Sequence, residues 1–409
     1  MKDVIIIGAG MAGLSAALEL KKRGLSYCIL EAAGEPGGRA LTTRLPSGTV
    51  ADLGAHWLHG DKNPVRALLQ RYGIPHRADA AAHNIIMHHG EARAQDPDEW
   101  LDRAVDRDAA DNIRLGRETD RPVTDLGKDA AGKETLGAFA TMWNGLDPPL
   151  VPSAREFLTD ESTPGGLQLP GGMQGLMEQA AAEAGADNIR FNTIVTAVRR
   201  RGGAVYVETA AGATRWGRAA LFTGSLGVIN SGLVEFDPPL SERLRAQLAG
   251  MVMGKMNKII LEVNPEFFER RGIPVDMSAE LLDDVPPHFC HIRSGGAPLI
   301  TLFISGNQAE DVERMDEAEA LAFARRVLSP LKDLEGFEQH LMSPPLITRW
   351  SGNPFTRGAY SSLLPGARRP DPWIEGPVGF CGDTFDAEYP GSLAGAYRSG
   401  KYAAGRLVH

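Results

Sequence analysis

The apolar positions of the first thirty residues form two kinds of run. Val4 to Ile7 is continuous and mostly β-branched, which predicts a strand buried on both faces. Leu14, Ala16, Ala17, Leu18 and Leu20 recur at helical spacing, and Gly24 stops that helix. Ser26 to Leu30 predict a second strand with Glu31 at its end. Between the first strand and the helix stand Gly8, Gly10 and Gly13, the G-x-G-x-x-G spacing. Gly8 permits the tight turn, Gly10 lets backbone approach a pyrophosphate, and Gly13 lets helix and strand pack closely. The helix N-terminus then offers free N–H groups to phosphate, and Glu31 is placed to accept from ribose hydroxyls. Strand, glycines, helix, strand and acid in register predict a dinucleotide-binding unit.

Farther on, LQLPGGMQGLMEQAAAEAG reads as a turn followed by an amphipathic helix. NIRFNTIVTAVRRRGGAVYVETAAG and RAALFTG predict consecutive short strands, with a hairpin turn at Gly202 and Gly203. KIILEV and LITLFIS predict two more strands, followed by a helix in DEAEALAFARRVLSPL. Residues 91–135 differ: EWLDRAVDRDAADNIRLGRETD alternates Asp, Arg and Ala, the pattern of a solvated helical face or mobile cap, with no chemistry assigned. There is no internal repeat and no low-complexity tract.

The chain's 409 residues exceed one ordinary core, so two intertwined or consecutive domains are expected. A net charge of −9 argues against nonspecific nucleic-acid binding and is compatible with cationic substrates. No run approaches the roughly 20 apolar residues of a membrane span. Cys28, Cys290 and Cys381 show no metal-site spacing and cannot form a full disulfide set. With a strand beginning at once and no room for a signal peptide, these features predict a cytoplasmic location without a metal.

EPGGRALT, Glu35 to Thr42, adds a second close-approach turn and a cation, Arg39, that an NAD domain does not usually need. The E-x-x-x-x-x-G-G-R pattern from Glu31, the DLGAHWLHG turn and the late GFCGDT…PGSLAGAYRSGKYAA segment together resemble the flavin amine oxidase family of monoamine oxidases, polyamine oxidases and flavin-dependent histone lysine demethylases. The resemblance covers most of the chain in outline, but residues 76 to about 160 carry no motif of it.

The resemblance implies an α/β fold: a discontinuous Rossmann-like FAD-binding domain (1–75, 165–250 and 370–409) interleaved with an α+β substrate-binding domain (76–164 and 251–369), whose mixed sheet is flanked by helices. It implies FAD contacts from Gly8, Gly10, Met11, Ala12 and Gly13, then from Glu31, Ala32, Gly38 and Arg39. Gly54, Ala55, His56 and Trp57 would follow in the GAHWLHG turn, with His56 at a variable position where a structural role is an open alternative. Val195 matches a backbone contact at the adenine end, though a plain core valine is an equal reading. Gly382 and Asp383 would meet the ribityl or pyrophosphate, and a helix starting near Leu393, with Ser392 and Ala396, would point at the flavin ring.

The same resemblance places the chemistry. MGKMNKIILEV offers Lys255 and Lys258, and the family's spacing from a glycine, here Gly254, selects Lys258 as the residue holding a water against flavin N5. Trp350 and Tyr360, ten apart, match an indole near the flavin and one aromatic of the substrate cage. Monoamine oxidases bond the flavin through a cysteine where this chain has Ala359, so the FAD would be noncovalent. The second cage aromatic is replaced by Ser392, leaving half a cage unless Tyr389 swings in. GAHWLHGDKNP is similar to the turn of animal and fungal polyamine oxidases, which puts His59 in the catalytic cavity and Trp57 beside the ring.

These expectations combine into oxidation of a polyamine or related amine. Hydride would pass from the carbon next to nitrogen to N5, the imine would hydrolyse to aldehyde and amine, and O2 would reoxidise the flavin to give hydrogen peroxide. The catalytic set would be Lys258, His59 and Tyr360, with Asp61, Asp160 and Glu161 as candidates for the distal ammonium groups. Two alternatives stay open: a flavin-dependent desaturase or dehydrogenase of an apolar substrate, and a non-catalytic flavin-bearing interaction module.

Overall fold

The computed structural model describes residues 1–79, 83–88, 90–94, 97–160, 166–283 and 286–407. The first strand, Lys2–Ile7, lies in a nine-stranded sheet between Tyr27–Leu30 and Thr214–Phe222, parallel to both. Its continuous apolar run is explained by burial on both faces. Val4 and Ile6 join one core with the helices, and Ile5 and Ile7 join another across the sheet. Val195–Arg201 and Ala204–Thr209 form the expected hairpin, whose Gly202 and Gly203 adopt φ of 58° and 79°. Such a turn suits glycine at both central positions. Val378–Phe380 returns near the C-terminus to pair in parallel with Thr214–Phe222.

Two helices from opposite ends of the chain, Met11–Lys22 and Leu393–Leu407, pack on this sheet and on each other. A Cβ on Gly13 would meet the Gly8 carbonyl oxygen at 2.0 Å, and one on Gly400 would meet the Ala12 oxygen at 2.1 Å. The crossing therefore exists only with glycine at both contacts, one to the strand turn and one between the helices.

The second large sheet has seven strands in the order Leu346–Ile347, Met256–Glu262, Leu299–Ser305, His288–Ile292, Met277–Leu281, His83–His88, Glu91–Ala94. Its central pairs are antiparallel, and His83–His88 joins parallel to Met277–Leu281. Alternation along these strands divides their side chains. Ile259, Leu261, Cys290, Leu302 and Ala279 face a core closed by the helix Glu317–Leu328. The intervening residues face the other way, toward the first sheet's glycine turns.

Within residues 91–135 the expected solvated helical face is present but also carries a small buried stripe. The helix Arg107–Arg114 is polar along most of its surface but buries Ala110 and Ile113, which cluster with Val123, Leu126, Leu136 and Ala154. Two apolar residues three apart are a small stripe, and neighbouring helices supply the rest of the core. No helix among the described residues is long and apolar enough to cross a membrane.

Candidate active site

A cavity of about 1910 Å³ runs from the glycine turn of the first sheet to the inner face of the second. It exceeds the roughly 300–1,000 Å³ of a site for one small ligand, and so has room for a dinucleotide together with a substrate. At one end stand Gly8, Gly10, Met11, Ala12, Glu31, Ala32, Gly38, Arg39 and Val195. Gly13 is absent from this lining and serves the helix–strand contact instead. The helix at Met11 begins without a side-chain cap, leaving backbone N–H groups for an anion. The Glu31 carboxylate is fixed by accepting from the N–H of Ala9 (2.6 Å) and of Ala33 (2.8 Å). Burial pushes its pKa up, and those N–H groups oppose the shift.

Arg39 arrives paired rather than as a free cation for phosphate. It bonds Asp383 at 2.5 Å and donates to the Ala359 carbonyl at 2.7 Å, so the two expected cofactor contacts hold each other in place. Gly382, Asp383, Ser392, Leu393 and Ala396 line the same stretch. Ser392 hydroxyl caps the last helix by accepting from Gly395 N–H. None of the three cysteines lines the cavity.

At the far end the second sheet presents one row across four strands. Register pairs Lys258 with Phe303, Phe303 with Phe289, and Phe289 with Glu280. Directly opposed residues share a face, and all four line the cavity. Three strand spacings of about 4.8 Å put roughly 14 Å between the row's ends. Lys258 is 4% exposed, and its Nζ donates to the carbonyls of Asp52 (2.8 Å) and Gly54 (2.7 Å) while lying 4.9 Å from the Phe303 ring centre. Two of its three donors are thus used. Burial lowers its pKa to about 8, opposed by the Asp52 carboxylate.

That shift has a consequence for stability. Below about pH 8 lysine is protonated in both folded and unfolded chains, and the cost of enclosing the ammonium is fully felt. Between about 8 and the ordinary 10.5 the folded chain has shed the proton while the unfolded chain keeps it, so stability rises with pH. Wild type is expected to gain up to roughly 3 kcal/mol relative to Lys258→Met across that window. Denaturant titrations of both proteins at pH 7.5 and 10 check this, and a constant difference between them would refute it.

The GAHWLHG turn enters against this row. Trp57 stacks on Phe303 (5.6 Å between ring centres) and on His291 (5.5 Å), with His59 at 5.7 Å. His59 is open to the cavity but enclosed by protein, which lowers its imidazole pKa against the opposing charge of Asp79. His56 is tied to the substrate-side sheet, its Nε2 lying 3.1 Å from Nδ1 of His291. Trp350 is buried, donates from Nε1 to the Leu53 carbonyl (3.1 Å), and lies against Gly54. A Cβ on Gly54 would sit 1.9 Å from the Arg39 oxygen, so Ala55 and the histidines reach the cavity only from a glycine there.

Tyr360 is brought in by pairing with Gly254, and its hydroxyl donates to the Trp143 carbonyl. It is therefore an aromatic wall, and its hydroxyl is not free for proton transfer. Burial pushes its pKa above the usual phenol value. Tyr389 does not swing in: it is 2% exposed, lies under Arg398, and is outside the lining. Phe289, Phe303 and Trp143, which sequence reasoning passed over, also line the cavity.

Of the proposed acids, Asp160 lines the cavity, Asp61 does not, and Glu161 falls outside the described residues. Among the lining acids that sequence reasoning missed are Glu280, Asp276 and Asp79. Asp276 is clamped by both terminal nitrogens of Arg77 at 2.6 Å, which brings a positive charge to the Asp79–Asp276–His291 cluster. A signal existed in MSAEL and HFCHI, where Ser278, Glu280, His288 and His291 interrupt otherwise apolar strands.

A family model described as flavin containing amine oxidoreductase matches residues 11–408. The probable polyamine oxidase 4 of Arabidopsis thaliana is 26% identical over 446 residues, covering 98% of this chain and 86% of the relative. Lysine-specific histone demethylase 1 homolog 2 of Oryza sativa subsp. japonica is 27% identical over 445 residues, covering 100% of this chain and 57% of the relative. In fold, the chain is similar to a cofactor-binding triple mutant of putrescine oxidase (TM-score 0.81, 20% identity, 100% of this chain and 98% of that one). It is likewise similar to cyclohexylamine oxidase from Brevibacterium oxydans (TM-score 0.80, 19% identity, 100% and 98%).

Proposed function

This chain belongs to the flavin-containing amine oxidoreductase family, and we propose that it oxidises a di- or polyamine at the Lys258 end of its cavity while Glu280 holds a distal ammonium. The observation that carries this is the cross-strand row. A buried carboxylate and a buried lysine stand at opposite ends of a floor of Phe303 and Phe289. Methylenes suit the aromatic floor, and a cation suits Glu280. An apolar desaturase substrate would make no use of Glu280 or Lys258, both of which line the cavity. Polyamine and putrescine oxidases among the similar proteins support the same class.

The glycine turn, helix N-terminus and Glu31 fit the nucleotide end of FAD, with the region of residues 1–75, 165–250 and 370–409 holding it and residues 76–164 and 251–369 holding substrate. When bound, FAD supplies the hydride acceptor at N5 and passes the electrons to O2 as hydrogen peroxide. The protein's part is positioning and proton control. Lys258 directs its remaining N–H toward a water at the reacting end. His59 faces the amine and, being held neutral by its enclosure, accepts the ammonium proton so that the nitrogen lone pair is free. Trp57, Trp350 and Tyr360 close the walls against bulk water. With Ala359 in the position of a thiol, the cofactor is held noncovalently.

Anaerobic mixing of the flavin-loaded protein with spermidine, N-acetylspermine, phenethylamine or an L-amino acid tests this, followed by air and a peroxide assay. Rapid bleaching by a polyamine, reversed by air with peroxide, is the expected result. Bleaching by phenethylamine alone overturns the polyamine assignment, and no bleaching by any amine overturns the proposed activity.

A further inference from the structure

The three carbonyls of Asp52, Leu53 and Gly54 are held in succession by two side chains. Lys258 takes the first and third, and the Trp350 indole takes the second. This three-residue anchor leads directly into the turn that carries His56, Trp57 and His59. The positions of Lys258 and Trp350 therefore set the position of the turn, and what fixes them lies outside the cavity.

Asn257, fully buried, is next to Lys258 in the strand but points to the other side. Its carbonyl oxygen accepts from the Trp350 backbone N–H (2.9 Å) and the Thr348 hydroxyl (3.1 Å). Thr348 hydroxyl oxygen in turn accepts from the Lys258 backbone N–H at 2.7 Å. The Asn257 amide donates to Glu313 at 2.7 Å. Glu313 also accepts from the backbone N–H groups of Ser351 (2.7 Å) and Gly352 (2.8 Å), the two residues after Trp350. A Cβ on Gly352 would approach the carboxylate to 2.7 Å, which gives the glycine of the W-S-G-N stretch a reason. Neither Glu313 nor Asn257 lines the cavity.

We propose that Glu313 and Asn257 are positioning residues for this oxidase: together they lock Lys258 and Trp350 into one rigid unit and so place the Asp52–Gly54 anchor and the histidine turn against the flavin. One carboxylate receiving three N–H donors is a strong, directional tie. The side-chain amide of Asn257 accepts from one flank of the unit and donates to the other. The energetic logic is that of a supporting shell, in which loosening by a fraction of an ångström is felt at the reacting atoms. The inference rests on the amine-oxidation reading for its kinetic half, while its structural half concerns only the surroundings of the flavin.

The test compares wild type, Glu313→Ala, Glu313→Gln and Leu328→Ala, a core truncation on the outer face of the same sheet. Visible circular dichroism of the oxidised, flavin-loaded proteins reads the ring's surroundings without turnover. Stopped-flow flavin reduction at saturating amine, from pH 6 to 10, reads the chemistry. Glu313→Ala is expected to change the visible dichroism, to slow reduction about tenfold or more, to alter its pH profile and to leave the half-saturating amine concentration within about twofold. Glu313→Gln, which keeps one acceptor, recovers part of each effect. Leu328→Ala lowers the melting temperature but keeps the wild-type dichroism and profile. Dichroism and pH profile unchanged in Glu313→Ala, or changed equally in Leu328→Ala, would overturn the proposal. If no amine bleaches wild type, amine oxidation falls, and the dichroism comparison still decides the positioning role.

Discussion

Replacing Lys258 with Met is expected to leave the protein yellow and to slow flavin reduction by saturating amine, or reoxidation by air, about 10²- to 10³-fold. Met matches the length and apolar packing of the lysine stem above Phe303, so the aromatic floor stays filled. What disappears is a buried donor whose pKa of about 8 keeps it near the balance between charged and neutral forms in the working pH range. Stopped-flow spectra in anaerobic and aerated buffer separate the two half-reactions, and flavin content measured beforehand excludes simple loss of cofactor. Unchanged rates in both halves would remove Lys258 from the chemistry and return it to a structural role, holding the Asp52 and Gly54 carbonyls.

How the site could be read from the sequence depended on how its parts are distributed along the chain. The nucleotide end is nearly contiguous: strand, glycines, helix and Glu31 fall within residues 2–31, and each has a local mechanical reason to be where it is. Trp57, His59 and Lys258 were reachable because short motifs carry them. Phe289, Phe303, Glu280 and His291 belong to separate strands and become neighbours only through register, which no single stretch encodes. Residues 91–135 hid their other side for a different reason. Asp102, Arg107, Asp111 and Arg114 are largely exposed and border the mouth of the cavity as well, so a solvated polar face gave no sign of it. Tyr389 lies close in sequence to the second cage position, Ser392, but packs beneath Arg398 instead of entering the cavity.

Glu280→Gln is expected to separate amines by their distal charge. The side chain is 2% exposed in the middle of a strand, where the sheet would pair as well with Thr or Val. A distal ammonium brought against it there would form an ion pair shielded from bulk water. Gln keeps the volume and a hydrogen-bonding oxygen but removes the charge. For spermidine, long enough to reach from the flavin end toward the far strand, kcat/KM should fall about 10²-fold, equivalent to about 2–3 kcal/mol of lost charge pairing. For hexylamine, which brings no distal ammonium, the change should stay within about threefold. Because both amines share the reacting end, with Lys258, His59 and the aromatic walls, a loss common to both would mean that Gln disturbs the sheet rather than recognition. A loss confined to spermidine ties the opposite end of the row to substrate choice.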